Sequence, residues 1–143
     1  NRPEPWNDER VSEVALTPND VAEFKQIIEE TFDRYSDDFA SGFIAESPEK
    51  IRRLPDYYAA LNGVGDFPEN TCNAPWISTV IEANGTVRPC FFHRPLGNVH
   101  DQGLNEILNS ADAVAFRRNL DTKRDPICRK CVCTLQLNPT TGI

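Results

Sequence analysis

Two stretches in the first half of the chain repeat apolar residues at helical spacing. Val21, Phe24, Ile28, Thr31, Phe32 and Tyr35 share one face and predict a helix over 18–35. Thr17 is a good N-cap, Pro18 suits the first helical position, and Asp20 can return a carboxylate to the cap. A second helix, over 47–62, starts at Ser47-Pro48 and presents Ile51, Leu54, Tyr57, Tyr58 and Leu61. Pro55 lacks a backbone donor, which predicts a kink or split after Arg53. Gly63 and Gly65 end this helix. Before the first helix the chain is Pro-rich, and the alternating run 11–16 (VSEVAL) predicts a short strand. Residues 36–43 read as a loop.

The second half changes period. Ile77 to Ala83 and Thr86 to Phe92 are rich in β-branched residues and flank Asn84-Gly85. That pattern predicts a hairpin closed by a two-residue type I′ turn. Residues 94–103 read as a loop with two glycines. Leu104, Ile107 and Leu108 mark a short helix. Ser110 caps another, over 111–120, with Ala113, Phe116 and Leu120 on one face. Residues 121–126 form a turn, and the last ten residues look irregular. Trp76, Phe91 and Phe92 are expected in the core. The composition shift near residue 66 divides the chain into a helical segment, 1–65, and a second domain, 66–143. The expected class is α+β: a small antiparallel hairpin with short helices, preceded by two amphipathic helices.

Composition narrows the function. The chain has 143 residues, of which 39% are hydrophobic and 26% charged. These figures allow a modest core. The formal charge of −7 argues against nucleic acid and anionic membrane as partners, because both select basic surfaces. No apolar run approaches the roughly 18 residues of a membrane span. The chain opens polar and contains no Met, so its start reads as a cut and the chain as a piece of something longer.

The chemistry lies in the cysteines. There are five, at 72, 90, 128, 131 and 133, and none in the first 71 residues. An odd, clustered set with one C-x-x-C knuckle suits metal or redox chemistry in a reducing compartment, so the expected location is cytoplasmic. Thiolates favour soft centres, either zinc or iron–sulfur clusters. Cys72 and Cys90 lie on opposite sides of the hairpin, whose open end can bring them together. A cluster several ångströms across bridges such scattered ligands more readily than one ion. Cys133 is an alternate to Cys131, with the C-x-x-C spacing favouring Cys131. His93 is read as a hydrogen-bonding residue rather than a ligand, and His100 as a surface residue. Arg88, Arg94 and Arg129 flank the site as surface cations. Two rival readings remain: a structural zinc-binding interaction module built on four of these cysteines, and a thiol–disulfide protein using Cys128 and Cys131. The second wants its C-x-x-C at a helix start, and this pair follows a turn with no clear helix after it.

From Cys72 onward the residues resemble a family, the SPASM domain and its shortened twitch form, found in radical S-adenosylmethionine enzymes. Cys72, twelve residues, Gly85, four residues and Cys90 follow that family's opening order. "CNAPW", "NGTVRPC", "LGNVHDQGLNEILNS", "FRRNL" and Cys128-x-x-Cys131 extend the match over about 66–135. The resemblance implies one four-iron four-sulfur cluster on Cys72, Cys90, Cys128 and Cys131. The full form carries a further cysteine where Leu137 stands here, so the resemblance is to the one-cluster twitch arrangement. The chain has no C-x-x-x-C-x-x-C, the motif that holds the catalytic cluster in these enzymes. S-adenosylmethionine would therefore bind only in a catalytic barrel elsewhere in the full-length chain. Residues 1–65 would be the end of that barrel or the linker from it. Peptides or small molecules are the substrates the resemblance implies, and the cluster would relay electrons or anchor substrate.

Overall fold

A computed structural model describes residues 7–137. The Pro-rich opening and the last six residues of the irregular tail lie outside them. Contacts divide the chain into two compact units, one running to Pro68 and one starting at Glu69.

The first unit is helical, with α1 at Asp8–Val14, α2 at Pro18–Arg34, α3 at Ser36–Ala40 and α4 at Pro48–Leu61. Thr17 starts α2 with a reciprocal box: its Oγ1 accepts from Asp20 N–H at 3.2 Å, and the Asp20 carboxylate accepts from Thr17 N–H at 2.9 Å. Val21, Ile28 and Phe32 are buried where α2 packs against α4. Phe24 and Tyr58 meet edge to face at 6.3 Å. Arg52 lies over the Phe32 ring at 4.5 Å and forms a bidentate pair with Glu29.

Three expectations fail in this unit. Most of the stretch 11–16 is helix, not strand. Asn7 caps α1 by accepting from Arg10 N–H at 3.0 Å, and alternation alone cannot make a strand without a partner. Residues 36–40 form α3 rather than loop, because Phe39 folds back edge to face on Phe32 at 5.1 Å. Pro55 does not split α4, which runs unbroken from Pro48 to Leu61 with Pro55 buried inside it. Burial of the ring offsets the one lost hydrogen bond.

The second unit is the α+β part. Its helices are α5 (Ala74–Ile77), α6 (Leu104–Leu108), α7 (Ala111–Asn119) and α8 (Pro126–Arg129). Its strands are β1 (Val80–Ile81), β2 (Thr86–Arg88) and β3 (Gly97–Asn98), antiparallel in the order β1-β2-β3. Val80 pairs with Arg88, and Val87 pairs with both Ile81 and Gly97. Val87 and Ile107 have no exposed surface. A side chain on Gly97 would come within 3.1 Å of Ile107, so the bare glycine lets α6 lie close on β3. Ser110 caps α7, and Arg117 donates to the Leu108 carbonyl at the end of α6.

Here too the expectations need correction. The hairpin exists, but its strands are shorter, and α5 takes Ile77 from the expected first strand. The turn is not type I′. No described residue other than glycine has positive φ, so Asn84 does not. The loop is Ala83-Asn84-Gly85: Gly85 N–H donates to Glu82 O at 2.8 Å and Glu82 N–H to Thr86 O at 2.9 Å. Gly85 takes the left-handed position, φ +80°. A Cβ there would lie 2.5 Å from the His100 ring and 2.6 Å from Asn98 Oδ1. The segment read as a glycine loop therefore supplies the third strand and closes over the turn. Trp76, Phe91 and Phe92 are exposed, not core residues. Val87, Pro89 and Ile107 fill the interior instead.

Candidate metal centre

Three separate segments meet at the cysteines. The first carries Cys72, flanked by Asn70 and Asn73. The Asn70 Nδ2 donates to the Cys128 carbonyl at 2.8 Å. Asn73 N–H donates to Leu135 O at 2.8 Å, its Nδ2 donates to Leu137 O at 2.7 Å, and its Oδ1 accepts from Leu137 N–H at 3.1 Å. These two asparagines strap the terminal segment along the residues beside Cys72. Asn70 is buried, and its Oδ1 has no hydrogen-bond partner. Such an orphan costs about 1–3 kcal/mol, which the fastening of the knuckle must offset.

The second segment leaves β2 through buried Pro89 to Cys90 and His93. Arg88 holds this exit. Its guanidinium pairs with Glu82 and donates to the His93 carbonyl at 2.9 Å. Arg88 is thus a half-buried structural cation rather than a solvated one. Arg94 and Arg129 are exposed, and Arg94 is engaged by Asp112.

The third segment is the knuckle. The turn expected at 121–126 ends by opening a helix: Asp125 caps α8, its Oδ1 accepting from Ile127 and Cys128 N–H at 2.9 Å each, with Pro126 at the first position. Cys128 therefore sits on a helical turn, and the absence of a nearby helix no longer separates this site from a thiol–disulfide one. Its surroundings do. Burial pushes the Cys128 thiol up to about 12, helped by the Asp125 carboxylate and by the thiols of Cys90 and Cys131. A reactive redox thiol is lowered, not raised. Cys131 is raised as well, chiefly by burial. The Cys133 carbonyl, which accepts from the Cys131 Sγ at 3.3 Å, acts against this, while Cys133, Cys72 and Cys90 add to it. Cys72, Cys90, Cys128 and Cys133 thus all act electrostatically on Cys131 or are acted on by it. All five cysteines are free thiols, and Cys133 is exposed.

His93 lies beside Cys128, with its Nε2 3.4 Å from the sulfur. The ligand atoms of His93, Asp125 and Cys128 fall within 4.8 Å of one another. Sequence reasoning anticipated a hydrogen-bonding His93 without naming its partner. It missed Asn70, Asn73 and the cap at Asp125, although Asp125-Pro126 carries a legible helix-start signal.

Neutral thiols crowded this way favour a positive centre that can replace their protons. The donor set fits an iron–sulfur cluster. Metal uptake should release protons and strengthen with rising pH, which a pH indicator and calorimetry at several pH values would measure. In the metal-free protein the raised Cys128 thiol favours the folded state below its ordinary value of 9.0. That contribution should fall away between pH 9.0 and about 12, seen as a declining unfolding temperature.

Residues 72–132 match the family model of SPASM, an iron-sulfur cluster-binding domain. Over these residues the chain is similar to that family. The match takes in Cys72, Cys90, Cys128 and Cys131 and stops one residue short of Cys133. No curated protein and no solved structure is significantly similar to the chain. The matched segment carries the three-stranded sheet, α5 to α8 and Cys72, Cys90, Cys128 and Cys131. Asn70, on one side, and the Leu135 and Leu137 partners of Asn73, on the other, lie just outside the matched residues. No described helix is long and apolar enough to cross a membrane.

Proposed function

We propose that the SPASM domain holds one four-iron four-sulfur cluster through Cys72, Cys90, Cys128 and Cys131, in the twitch manner. The observation that carries this is the convergence of two chain segments on the Cys128 knuckle, one through Asn70 and the other through His93, with Asn73 fastening the residues that follow the knuckle. Cys133 stands outside the ligand set: it is exposed and offers its carbonyl to Cys131. When bound, such a cluster supplies one-electron transfer. The chain's own residues position the sulfurs and bury Cys128.

The domain would serve as the auxiliary-cluster part of a radical S-adenosylmethionine enzyme, in a reducing, cytoplasmic setting. Its partner would be a catalytic barrel carried by the same full-length protein, where S-adenosylmethionine binds. The substrate would be a peptide or small molecule whose radical gives its electron to the cluster or which the domain helps to anchor. The lack of C-x-x-x-C-x-x-C in this chain supports that division of labour.

Anaerobic reconstitution with iron and sulfide tests the reading. A brown protein with about four irons per chain is expected. The second reading is a single zinc ion, and the close grouping of His93, Asp125 and Cys128 favours it. A colourless protein that takes up one zinc and no sulfide would replace the cluster with that ion.

A further inference from the structure

The segment after Cys90 is inverted. Phe91 is 71% exposed and Phe92 52%, while the polar His93 is 5% exposed. Hydrophobicity alone would bury the rings and expose the imidazole. A polar contact inside must hold His93 there. Two other contacts lock its placement: the Phe116 ring meets the imidazole edge to face at 5.0 Å, and Arg88 holds the backbone carbonyl.

Two polar side chains, those of Asp125 and Cys128, lie near the imidazole Nε2. Asp125 Oδ1 is 3.8 Å from Nε2, beyond hydrogen-bond length, and already accepts two backbone N–H groups. The Cys128 sulfur is 3.4 Å away, within the longer range that sulfur allows. The ring nitrogen therefore serves the sulfur. A thiol could give or take that hydrogen bond. A sulfur bound to iron has lost its proton and can only accept, so the facing nitrogen must donate.

We infer that His93 is a positioning residue of the metal centre, donating its Nε2–H to the Cys128 sulfur and thereby raising the reduction potential of the cluster. The inference rests on the reading of Cys128 as a cluster ligand. A hydrogen bond to a ligating sulfur stabilises the more negative, reduced state, so its removal lowers the potential.

The reconstituted full chain tests this, labelled with nitrogen-15 at histidine and reduced to its paramagnetic state. Pulsed electron paramagnetic resonance should detect a weak histidine nitrogen coupling. The chain has two histidines, so His100→Gln should keep the coupling and His93→Phe should remove it. Redox titration should place His93→Phe at a lower potential than the unaltered chain. His93→Gln, which keeps an N–H, should fall between them. A cluster without histidine coupling, or an unchanged potential in His93→Phe, overturns the inference and leaves the cluster reading intact. A coupling as strong as that of a direct ligand also overturns it. If His93→Phe holds no cluster, the labelled unaltered and His100→Gln chains still decide. Failure of the unaltered chain to form any cluster overturns both readings together.

Discussion

Reconstituted with iron and sulfide, the Cys128→Ser chain should hold less than about one iron, where the unaltered chain holds about four. The expectation follows from how completely this residue is engaged. Asn70 clamps its carbonyl, Asp125 caps its amide, and the imidazole of His93 faces its sulfur. A serine oxygen sits on a shorter bond, ionises far less readily and is a harder ligand than thiolate. It would neither reach nor satisfy the proposed centre on Cys72, Cys90 and Cys131. Cys133→Ser is the control and should keep about four irons, because only its backbone carbonyl touches a proposed ligand. Iron and sulfide analysis with visible absorption reads both. Equal iron in the two variants would contradict the ligand set.

The second large effect concerns the frame. Ile107→Ala should destabilise the second unit by about 2–5 kcal/mol in chemical denaturation. Ile107 has no exposed surface and packs against the bare face of Gly97, so truncation leaves a void between α6 and β3. A small domain has only about 5–15 kcal/mol of stability, so this loss is a large fraction of it. Val114→Ala, on the exposed side of α7, should change stability by no more than about 0.5 kcal/mol. A loss below about 1 kcal/mol for Ile107→Ala would show that the sheet does not depend on α6 for its core.

The amphipathic helices were the most legible part of the chain. Caps and apolar spacing are local properties, and the Thr17 box, the Ser47 start and the Ser110 cap all stand where the residues predict. Alternation was less reliable. The stretch 11–16 reads as a strand by pattern, yet Asn7 offers its backbone a helical cap and no described strand lies alongside. The turn at Gly85 shows the same limit. Asn84-Gly85 suggests a two-residue loop, but Asn98 and His100 crowd that end of the hairpin, and the loop takes three residues. Misplaced aromatics have a related cause: Phe91 and Phe92 lose the interior to a histidine that has a sulfur to face.

The sequence by itself determined the chemistry available: soft thiol side chains, their number, the C-x-x-C spacing, and the Cys72–Gly85–Cys90 order that resembles the SPASM family. Those are properties of residue type and short spacing, which survive without a fold. Only the tertiary structure decided how 56 residues of separation between Cys72 and Cys128 are closed. Asn70 and Asn73 do it by side-chain hydrogen bonds to backbone groups 58 to 64 positions away, and no local pattern encodes such partners. The burial of His93 was decided the same way, because it and the facing sulfur exist only once three distant segments are packed together.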